Sequence, residues 1–340
     1  MSRLPDWSLE SLPIKVLPAV ENQKIDSITV ADKAYTADGQ CWRASAIAAS
    51  IAQKQTEECF GFKWQQEYSF ISDASLARNK AWSQERYGDI HFLFADKQPK
   101  LLLDAGCGAA MSTIGLFGDF FKQIQYVGVE ISEAIHIAQR RLLEHGVEGL
   151  FLKDSLMELP FVERTFDIIY SNGVLHHTDS TKSALLELAR LLRPGGFFLF
   201  YVYRKKGPIR EFSDDYIREA LQCVDPATAW EKLKPLTQLG IELGNANATI
   251  SIPERIDFLD MQPGAMTIQR FVYWHIFKAF YHPEASFDEM HHINFDWYYP
   301  KNAHRQTIEE VRAWCDEAGL SIHGEYVAEP GIAVVAQKNV

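Results

Sequence analysis

The alternation of short apolar runs with amphipathic stretches over residues 100 to 203 constrains the fold more than any other feature of the sequence. Five runs rich in β-branched, aliphatic and aromatic residues predict strands, and in order they read KLLLD, YVGVE, GLFLKD, FDIIYSN and FFLFYVY. Helical stretches such as SEAIHIAQRRLLEHG separate these runs. Strands that alternate with helices are typical of a parallel sheet with helices on both faces. The sequence therefore predicts an α/β, doubly wound and mostly parallel sheet.

The same pattern resumes near the C-terminus. TIEEVRAWCDEAG predicts a helix with Thr307 and Glu310 at the two positions of a capping box, and IAVVAQK predicts a last strand. We therefore expect a core domain from residues 96–203 and 305–340, preceded by an N-terminal extension with helical stretches over residues 1–95. Residues 204–304 are an insertion after the fifth strand. Ligands bind at the carboxyl edge of such sheets, so both outer segments are expected to cover that edge, with the insertion acting as a lid.

Composition narrows the classes of partner. The formal net charge is -11 and no basic run occurs, which disfavours nucleic acid and favours a small-molecule substrate. The five cysteines are far apart and form no CxxC pair, which indicates a reducing, cytoplasmic location. The longest apolar run is too short to span a bilayer, and the first twenty residues lack the apolar core of a signal peptide. We therefore expect no membrane partner.

A glycine turn follows the first predicted strand in KLLLDAGCGAAM. Asp104, Gly106 and Gly108 lead into a helix, and we expect bare backbone N–H groups there that bind an anion or a carboxylate. The dinucleotide motif G-x-G-x-x-G is broken because Met111 stands at its third glycine. A dehydrogenase is therefore a weaker alternative.

Two further acids end the next two strands. Glu130 lies 22 residues after Gly108, where a carboxylate can accept hydrogen bonds from both hydroxyls of a ribose. Asp154 lies in LKDSLMELPF, where it can accept from the exocyclic amine of an adenine held between apolar side chains. Because carboxyl ends of parallel strands share one edge, Asp104, Glu130 and Asp154 are expected to face one crevice.

The order of motifs downstream resembles the class I S-adenosylmethionine-dependent methyltransferases, in particular the small-molecule, type 11-like branch. The motifs that carry the resemblance are ELPF at 158 to 161, FDII at 166 to 169, NGVLHH at 172 to 177 and LLRPGG at 191 to 196. The match runs from Lys100 to Tyr203, and a weaker one from Asp296 to Lys338. The resemblance implies a Rossmann-like domain, with a sheet of seven strands, and S-adenosyl-L-methionine as its cofactor. The family's loop has a third glycine where this sequence has Ala110.

The resemblance also assigns residues to parts of the cofactor. The loop from Asp104 to Gly108 would hold the methionine end, and Glu130 the ribose. Asp154, Ser155 and Leu156 would hold the adenine edge. Asn172 would lie beside the sulfonium.

Candidate catalytic residues come from two segments. Methyl transfer needs mainly alignment and desolvation, with a base when the acceptor must lose a proton. His176 and His177 follow the fourth strand and either serve as that base or belong to the architecture of the loop. Tyr298 and Tyr299 either face the substrate or pack the insertion onto the sheet.

The aromatic rings suggest a further contact with the cofactor, whereas the histidines do not suggest a metal site. Aromatic faces can stabilise a sulfonium as they do other soft cations. The candidates for this contact are Phe60, Trp64, Tyr68, Trp82, Tyr298 and Tyr299. The scattered histidines show no metal-ligand spacing, so no metal site is expected.

Three functions are compatible with these features. The first is methyl transfer from S-adenosylmethionine to a small-molecule acceptor. The second keeps the cofactor but attacks its aminocarboxypropyl carbon, for example to cyclise it to azetidine-2-carboxylate with release of methylthioadenosine. The third is a cofactor-binding protein without turnover.

Overall fold

In the computed structural model, which describes residues 27–30, 33–47, 49–65 and 73–340, ten strands form one sheet. In chain order these strands are β1 (Ser27–Val30), β2 (Lys33–Asp38), β3 (Cys41–Ala44), β4 (Lys100–Ala105), β5 (Ile124–Glu130), β6 (Gly149–Lys153), β7 (Phe166–Asn172), β8 (Leu192–Tyr203), and, after a separate hairpin of β9 (Thr249–Ile252) with β10 (Gly264–Thr267), β11 (Leu320–Val327) and β12 (Gly331–Lys338). Across the sheet the order is β1, β2, β3, β6, β5, β4, β7, β8, β12 and β11.

The central strands β6, β5, β4, β7 and β8 pair in parallel, and β12 and β11 add to them in antiparallel fashion. These seven strands confirm the doubly wound, mostly parallel sheet predicted from the sequence. The chain runs outward from β4 through β5 to β6 and then returns to place β7 on the other side of β4. This reversal creates a topological switch point between β4 and β7, where open α/β sheets bind ligands.

The helices cover both faces of the sheet. In chain order they are α1 (Ile51–Gln65), α2 (Asp73–Tyr87), α3 (Met111–Phe117), α4 (Ala134–Glu144), α5 (Thr181–Leu191), α6 (Pro208–Leu221), α7 (Pro226–Asn245), α8 (Ile268–His275), α9 (Phe287–Tyr298) and α10 (Ile308–Glu317). One core cluster packs α5 and α10 against the sheet, and a second packs α3 and α4 against the opposite face. Neighbouring residues Leu102 and Leu103 enter different clusters and are both fully buried. Burial on both faces explains why the β4 sequence is an uninterrupted apolar run.

Residues after β8 form α6 to α9 and the β9–β10 hairpin before the chain returns to the sheet through α10. Side chains of α6, α7 and α9 share a smaller core with Cys59 of α1. The capping box predicted at Thr307 and Glu310 is present at the start of α10. None of the helices in the described residues is both long and apolar enough to cross a bilayer.

Strands β1 to β3 extend the sheet beyond the seven predicted strands, since the sequence led us to expect only helical stretches before residue 95. Strand β3 pairs in parallel with β6, and β2 and β3 form a hairpin closed by Gly39 and Gln40. Tyr35 is fully buried, and its hydroxyl donates a hydrogen bond to the carboxylate of Asp154. The ammonium of Lys33 lies 2.7 Å from the same carboxylate. The side chains of β2 therefore fix these added strands to the end of β6.

We expect Tyr35→Phe to lower the free energy of unfolding by about 1–3 kcal/mol, because it leaves one oxygen of a buried carboxylate without its donor. Urea denaturation at pH 7 measures this change. The matched control is Tyr216→Phe, which removes a hydroxyl from a side chain that is 69% exposed and should change little. Equal losses in the two variants would contradict the role given to Tyr35.

Candidate active site

A cavity of about 830 Å³ opens at the carboxyl ends of β4, β5, β6 and β7. Its volume lies in the upper part of the range for pockets that hold drug-sized ligands. Six predicted cofactor-binding residues line it: Gly106, Gly108, Glu130, Ser155, Leu156 and Asn172. We refer to the lining contributed by residues 106–178 as the inner wall. The lining contributed by α1, α2, β8 and residues 280–296 is the outer wall.

The glycine loop closes onto β5 rather than presenting free donors. Gly106 and Cys107 donate their backbone N–H groups to the carbonyl oxygen of Val129, and Gly108 donates to the Glu130 carboxylate at 3.1 Å. The expectation of bare N–H groups was therefore wrong for these three residues. Gly106 has φ +82°, and a Cβ there would overlap Val174, so this turn requires glycine.

Ala110 also adopts the left-handed conformation, with φ +61°, although it is not glycine. It directly precedes α3 and is completely buried in the core below the loop. Its methyl group does not line the cavity, whereas its neighbours Ala109 and Met111 do. The methyl group of Ala110, where the family has its third glycine, therefore does not change the shape of the cavity.

The carboxylate of Glu130 is oriented by two backbone donors. Oε2 accepts from Gly108, and Oε1 accepts from Ser132 at 2.9 Å. A carboxylate has about four lone-pair positions, so each oxygen retains one acceptor position for a ligand. Ile131 and Leu156 supply apolar surface to the same wall. A fixed acceptor pair beside apolar side chains matches a ribose diol next to a purine, so these residues fit S-adenosylmethionine.

Asp104 and Asp154 lie behind the cavity lining. The Asp104 carboxylate accepts hydrogen bonds from the hydroxyls of Thr113 and Tyr126, and burial raises its pKa to about 6. Asp104 therefore joins the end of β4 to α3 and β5. Asp154 is fully buried and accepts from Lys33, Tyr35 and its neighbour Ser155. Burial raises the pKa of Asp154, and its side chain does not line the cavity, so the predicted contact with an adenine amine stays a prediction.

Asn172 lines the cavity at the end of β7. The hydroxyl of Tyr87 donates to its Oδ1 at 2.8 Å. This contact orients the side-chain amide so that its N–H groups are the ones left for a ligand.

His177 is the only one of the four predicted catalytic residues that lines the cavity. Its Nδ1 lies 2.6 Å from the carbonyl oxygen of Asn302, so Nδ1 carries the hydrogen and Nε2 carries the free lone pair. Burial lowers the pKa of His177 to about 3, which keeps the ring neutral at physiological pH. The ring meets Phe60 and Tyr203 edge to face, with centroids 4.9 and 5.4 Å apart.

His176 points away from the cavity and stacks on Tyr203, with ring centroids 3.6 Å apart. Its Nδ1 accepts from the backbone N–H of Tyr203 at 3.3 Å, and the side chain is fully buried. Burial lowers its pKa well below the usual value, and the residue supports the wall behind Tyr203.

Tyr298 and Tyr299 belong to the packing of the inserted segment. The Tyr298 hydroxyl lies 2.9 Å from both Asp214 Oδ1 and the carbonyl oxygen of Lys278, and the Tyr299 hydroxyl donates to the carbonyl oxygen of Val224. Neither ring lines the cavity. The geometry therefore corrects their expected catalytic role and favours the packing alternative.

The outer wall is aromatic. The rings that line it are Phe60, Trp64, Trp82, Tyr201, Tyr203 and Phe280. Of the predicted sulfonium contacts, Phe60, Trp64 and Trp82 lie here, while Tyr68 falls outside the described residues. Sequence analysis missed Tyr201 and Tyr203. Their spacing in the strand FFLFYVY is the signal, because alternate residues of a strand share one face.

Two ion pairs join the helices around the outer wall. The ammonium of Lys63 on α1 contacts Asp296 of α9, and Arg78 on α2 lies 2.7 Å from Glu289 of α9. All four side chains line the cavity, and sequence analysis did not single out Lys63, Arg78 or Glu289. They lie in three separate helices, so no local sequence pattern joins them.

Comparisons with known proteins agree with this geometry. Residues 103–200 match the family model described as a methyltransferase domain. An "uncharacterized methyltransferase" of Schizosaccharomyces pombe is 31% identical over 133 residues, which cover 37% of this chain and 48% of that protein. A fatty-acid O-methyltransferase of Mycolicibacterium smegmatis is 32% identical over 120 residues, which cover 35% and 42%.

A probable tRNA methyltransferase of Homo sapiens is 34% identical over 140 residues, which cover 40% of this chain and 27% of that protein. The chain thus spans about half or less of the length of these curated relatives.

The raised pKa of Asp104 predicts a pH dependence of stability. The folded carboxyl has a pKa of about 6 and the unfolded one about 3.9, so between these values the folded state holds a proton that the unfolded state has lost. The contribution of Asp104 to the free energy of unfolding should therefore fall as pH rises from 4 to 6. Asp104→Asn should remove this slope, which amounts to about 2–3 kcal/mol across the window.

Urea denaturation of both proteins between pH 4 and 7 measures the difference. The control is Asp316→Asn, because Asp316 is exposed on α10. Parallel stability curves for wild type and Asp104→Asn would contradict the buried environment assigned to this carboxyl.

Proposed function

Because this chain belongs to the class I S-adenosylmethionine-dependent methyltransferases, we propose that it transfers a methyl group from its cofactor to a small-molecule acceptor bound in the same cavity. One observation carries the proposal. A single cavity joins the glycine loop and Glu130 on the inner wall to the aromatic outer wall. Its volume is large enough for two ligands of modest size.

In this proposal the inner wall holds S-adenosylmethionine. Glu130 accepts from the two ribose hydroxyls, and Ile131 and Leu156 pack on the adenine, with Ser155 at its edge. Gly106, Gly108 and Asn172 border the methionine end. Asp104 and Asp154 act indirectly, by holding the glycine loop and the end of β6 in place.

The segments outside the parallel sheet form the cover in this proposal. We take residues 96–203 and 305–340 as the cofactor-binding domain, with residues 1–95 and 204–304 contributing the outer wall. The ion pairs of α9 with α1 and α2 support this division, since they join the inserted segment to the N-terminal helices directly over the cavity. Covering the site removes water and strengthens electrostatic interactions inside it.

S-adenosylmethionine supplies a methyl carbon that its positive sulfur makes electrophilic. The residues of the chain align the acceptor and exclude water. His177 offers the lone pair of Nε2, which can accept a hydrogen bond from the acceptor and orient its nucleophilic atom. Asn302 fixes this tautomer through its carbonyl oxygen.

A small acceptor is favoured over a nucleic acid by the charge of the chain. The net charge is -11, and the two lysine and arginine side chains that line the cavity are already paired with carboxylates. Phosphate recognition normally uses unpaired Lys and Arg side chains. All five cysteines are free thiols, which supports a cytoplasmic location.

The test is to identify the sulfur product by mass spectrometry after incubation of the protein with S-adenosylmethionine and a mixture of small-molecule acceptors. The proposal predicts S-adenosylhomocysteine together with an acceptor heavier by one methylene unit. Methylthioadenosine formed from the cofactor alone would overturn methyl transfer and favour attack on the aminocarboxypropyl carbon. Binding without either product would favour a protein without turnover.

Glu130→Ala tests whether the cofactor binds at the proposed site. Loss of one or two charge-assisted hydrogen bonds, each of about 1.5–3 kcal/mol, should weaken binding of S-adenosylhomocysteine at least tenfold in calorimetry. Glu148→Ala is the control, because Glu148 is exposed and distant from the cavity lining. Unchanged affinity in Glu130→Ala would refute the ribose assignment.

A further inference from the structure

The charges of the outer wall limit the chemical class of the acceptor. The wall contains three carboxylates, those of Glu85, Glu289 and Asp296, and two cations, those of Lys63 and Arg78. Glu85 pairs with Arg86, which does not line the cavity, at 2.8 Å. Both cations already contact carboxylates of α9. Among the described lining residues, therefore, neither lysine nor arginine is left to neutralise an acceptor that carries a carboxylate or phosphate. Such an acceptor would lose its hydration without gaining a counter-ion.

The Asp296 carboxylate is held by the protein through only one of its two oxygens. Its Oδ2 accepts from the ammonium of Lys63, while Oδ1 is buried without a hydrogen-bond partner among the described residues. The side chain lines the cavity and is 22% exposed. Oδ2 accepts only from the Lys63 ammonium, so this oxygen keeps a second acceptor position for a ligand.

His177 and aromatic rings add to the acceptor that Asp296 provides. The Nε2 lone pair of His177 is an acceptor and not a donor, because Nδ1 donates to Asn302. Phe60 contacts the His177 ring, and the Lys63 ammonium lies 5.7 Å from the centre of the Phe60 ring. The faces of Phe60 and Tyr203 add further negative electrostatic character. This part of the cavity therefore offers hydrogen-bond acceptors to a ligand.

We propose that the acceptor is a small, uncharged, largely apolar molecule whose nucleophile is a neutral nitrogen with at least one hydrogen. In this proposal Asp296 and His177 bind that nitrogen. This inference rests on the proposed methyl transfer. It adds a role for Asp296 as an electrostatic positioning residue. It also distinguishes nitrogen acceptors from carboxylic acids, phosphates and nucleic acids.

The movement of charge during methyl transfer explains why Asp296 and His177 suit a nitrogen nucleophile. The nitrogen lone pair forms the new bond to the methyl carbon, and the bonding pair of the broken carbon–sulfur bond passes to sulfur. Positive charge thereby moves from sulfur to nitrogen, where the Asp296 carboxylate stabilises it. The methylated nitrogen then loses its N–H proton to water, which leaves a neutral methylated amine. A deprotonated oxygen nucleophile would instead need an unpaired cation beside it.

The experiment compares three ligands with one ring system: 6-aminoquinoline, 6-hydroxyquinoline and quinoline-6-carboxylate. Each is titrated at pH 8 into the full-length protein saturated with S-adenosylhomocysteine. We expect the amine to bind at least tenfold more tightly than the carboxylate and more tightly than the hydroxyl compound. Carboxylate binding as tight as that of the amine would overturn the inference, as would no measurable binding of any of the three.

Asp296→Asn tests the residue itself. It should reduce the ratio of amine to carboxylate affinity at least fivefold, whereas Asp288→Asn, an exposed change on the same helix, should leave the ratio unchanged. If Asp296→Asn does not fold, Lys63→Met gives the opposite test, because removal of the cation should increase the ratio. A ratio that is the same in wild type and in the folded variant contradicts the role of Asp296.

Before the quinolines are added, the protein is titrated with S-adenosylhomocysteine alone, and this titration separates the two proposals. Failure to bind it would contradict the proposed function. Normal binding followed by the wrong preference among the quinolines would contradict only the nitrogen acceptor.

Discussion

The parallel pairing of β4 with both β5 and β7 is the constraint on which the rest of the structure depends. The connections that follow β4 and β7 lead to α3 and α5, which pack on opposite faces of the sheet. A crevice for a ligand therefore opens between these connections at the carboxyl ends of the two strands. The glycine loop, Glu130 and Asn172 end adjacent strands at that edge and line one cavity. Helices α1, α2 and α9 enclose the opposite side, linked by the ion pairs of Lys63 and Arg78.

Four buried or half-buried carboxylates near the cavity differ in what they bind, and this difference separates structural from functional roles. Asp104 is held by hydroxyls under the glycine loop, and Asp154 is held by Lys33 and Tyr35 of β2. Glu130 faces the cavity with acceptor positions to spare, and Asp296 has one oxygen without a donor. The last two line the cavity, whereas Asp104 and Asp154 do not, so they are the ones that a ligand can contact.

The sequence was informative where local pattern and topology coincide. Apolar runs that are buried on both faces located β4 to β8, and strand-end positions located Glu130 and Asn172. It gave no sign of the contacts of Asp154, because Lys33 and Tyr35, which donate to its carboxylate, lie about 120 positions earlier in a short hairpin. The Gly39–Gln40 loop was the available signal for that hairpin, since two-residue loops with a left-handed glycine commonly join antiparallel strands.

The outer wall was the least predictable part, because its residues come from α1, α2, β8 and α9 and meet only after the chain has folded. Tyr298 and Tyr299 were misplaced for this reason. Their aromatic character was evident, but the direction of each ring depends on the packing of α9 against α6 and α7.

The central claim, that one cavity holds the cofactor on Glu130 and leaves the outer wall for an acceptor, is tested most directly by a crystal structure with S-adenosylhomocysteine. The account predicts ribose hydroxyl oxygens within about 3 Å of the Glu130 carboxylate and an open path from the sulfur atom to His177 and Asp296. A ligand bound elsewhere, or one whose ribose does not contact Glu130, would contradict it.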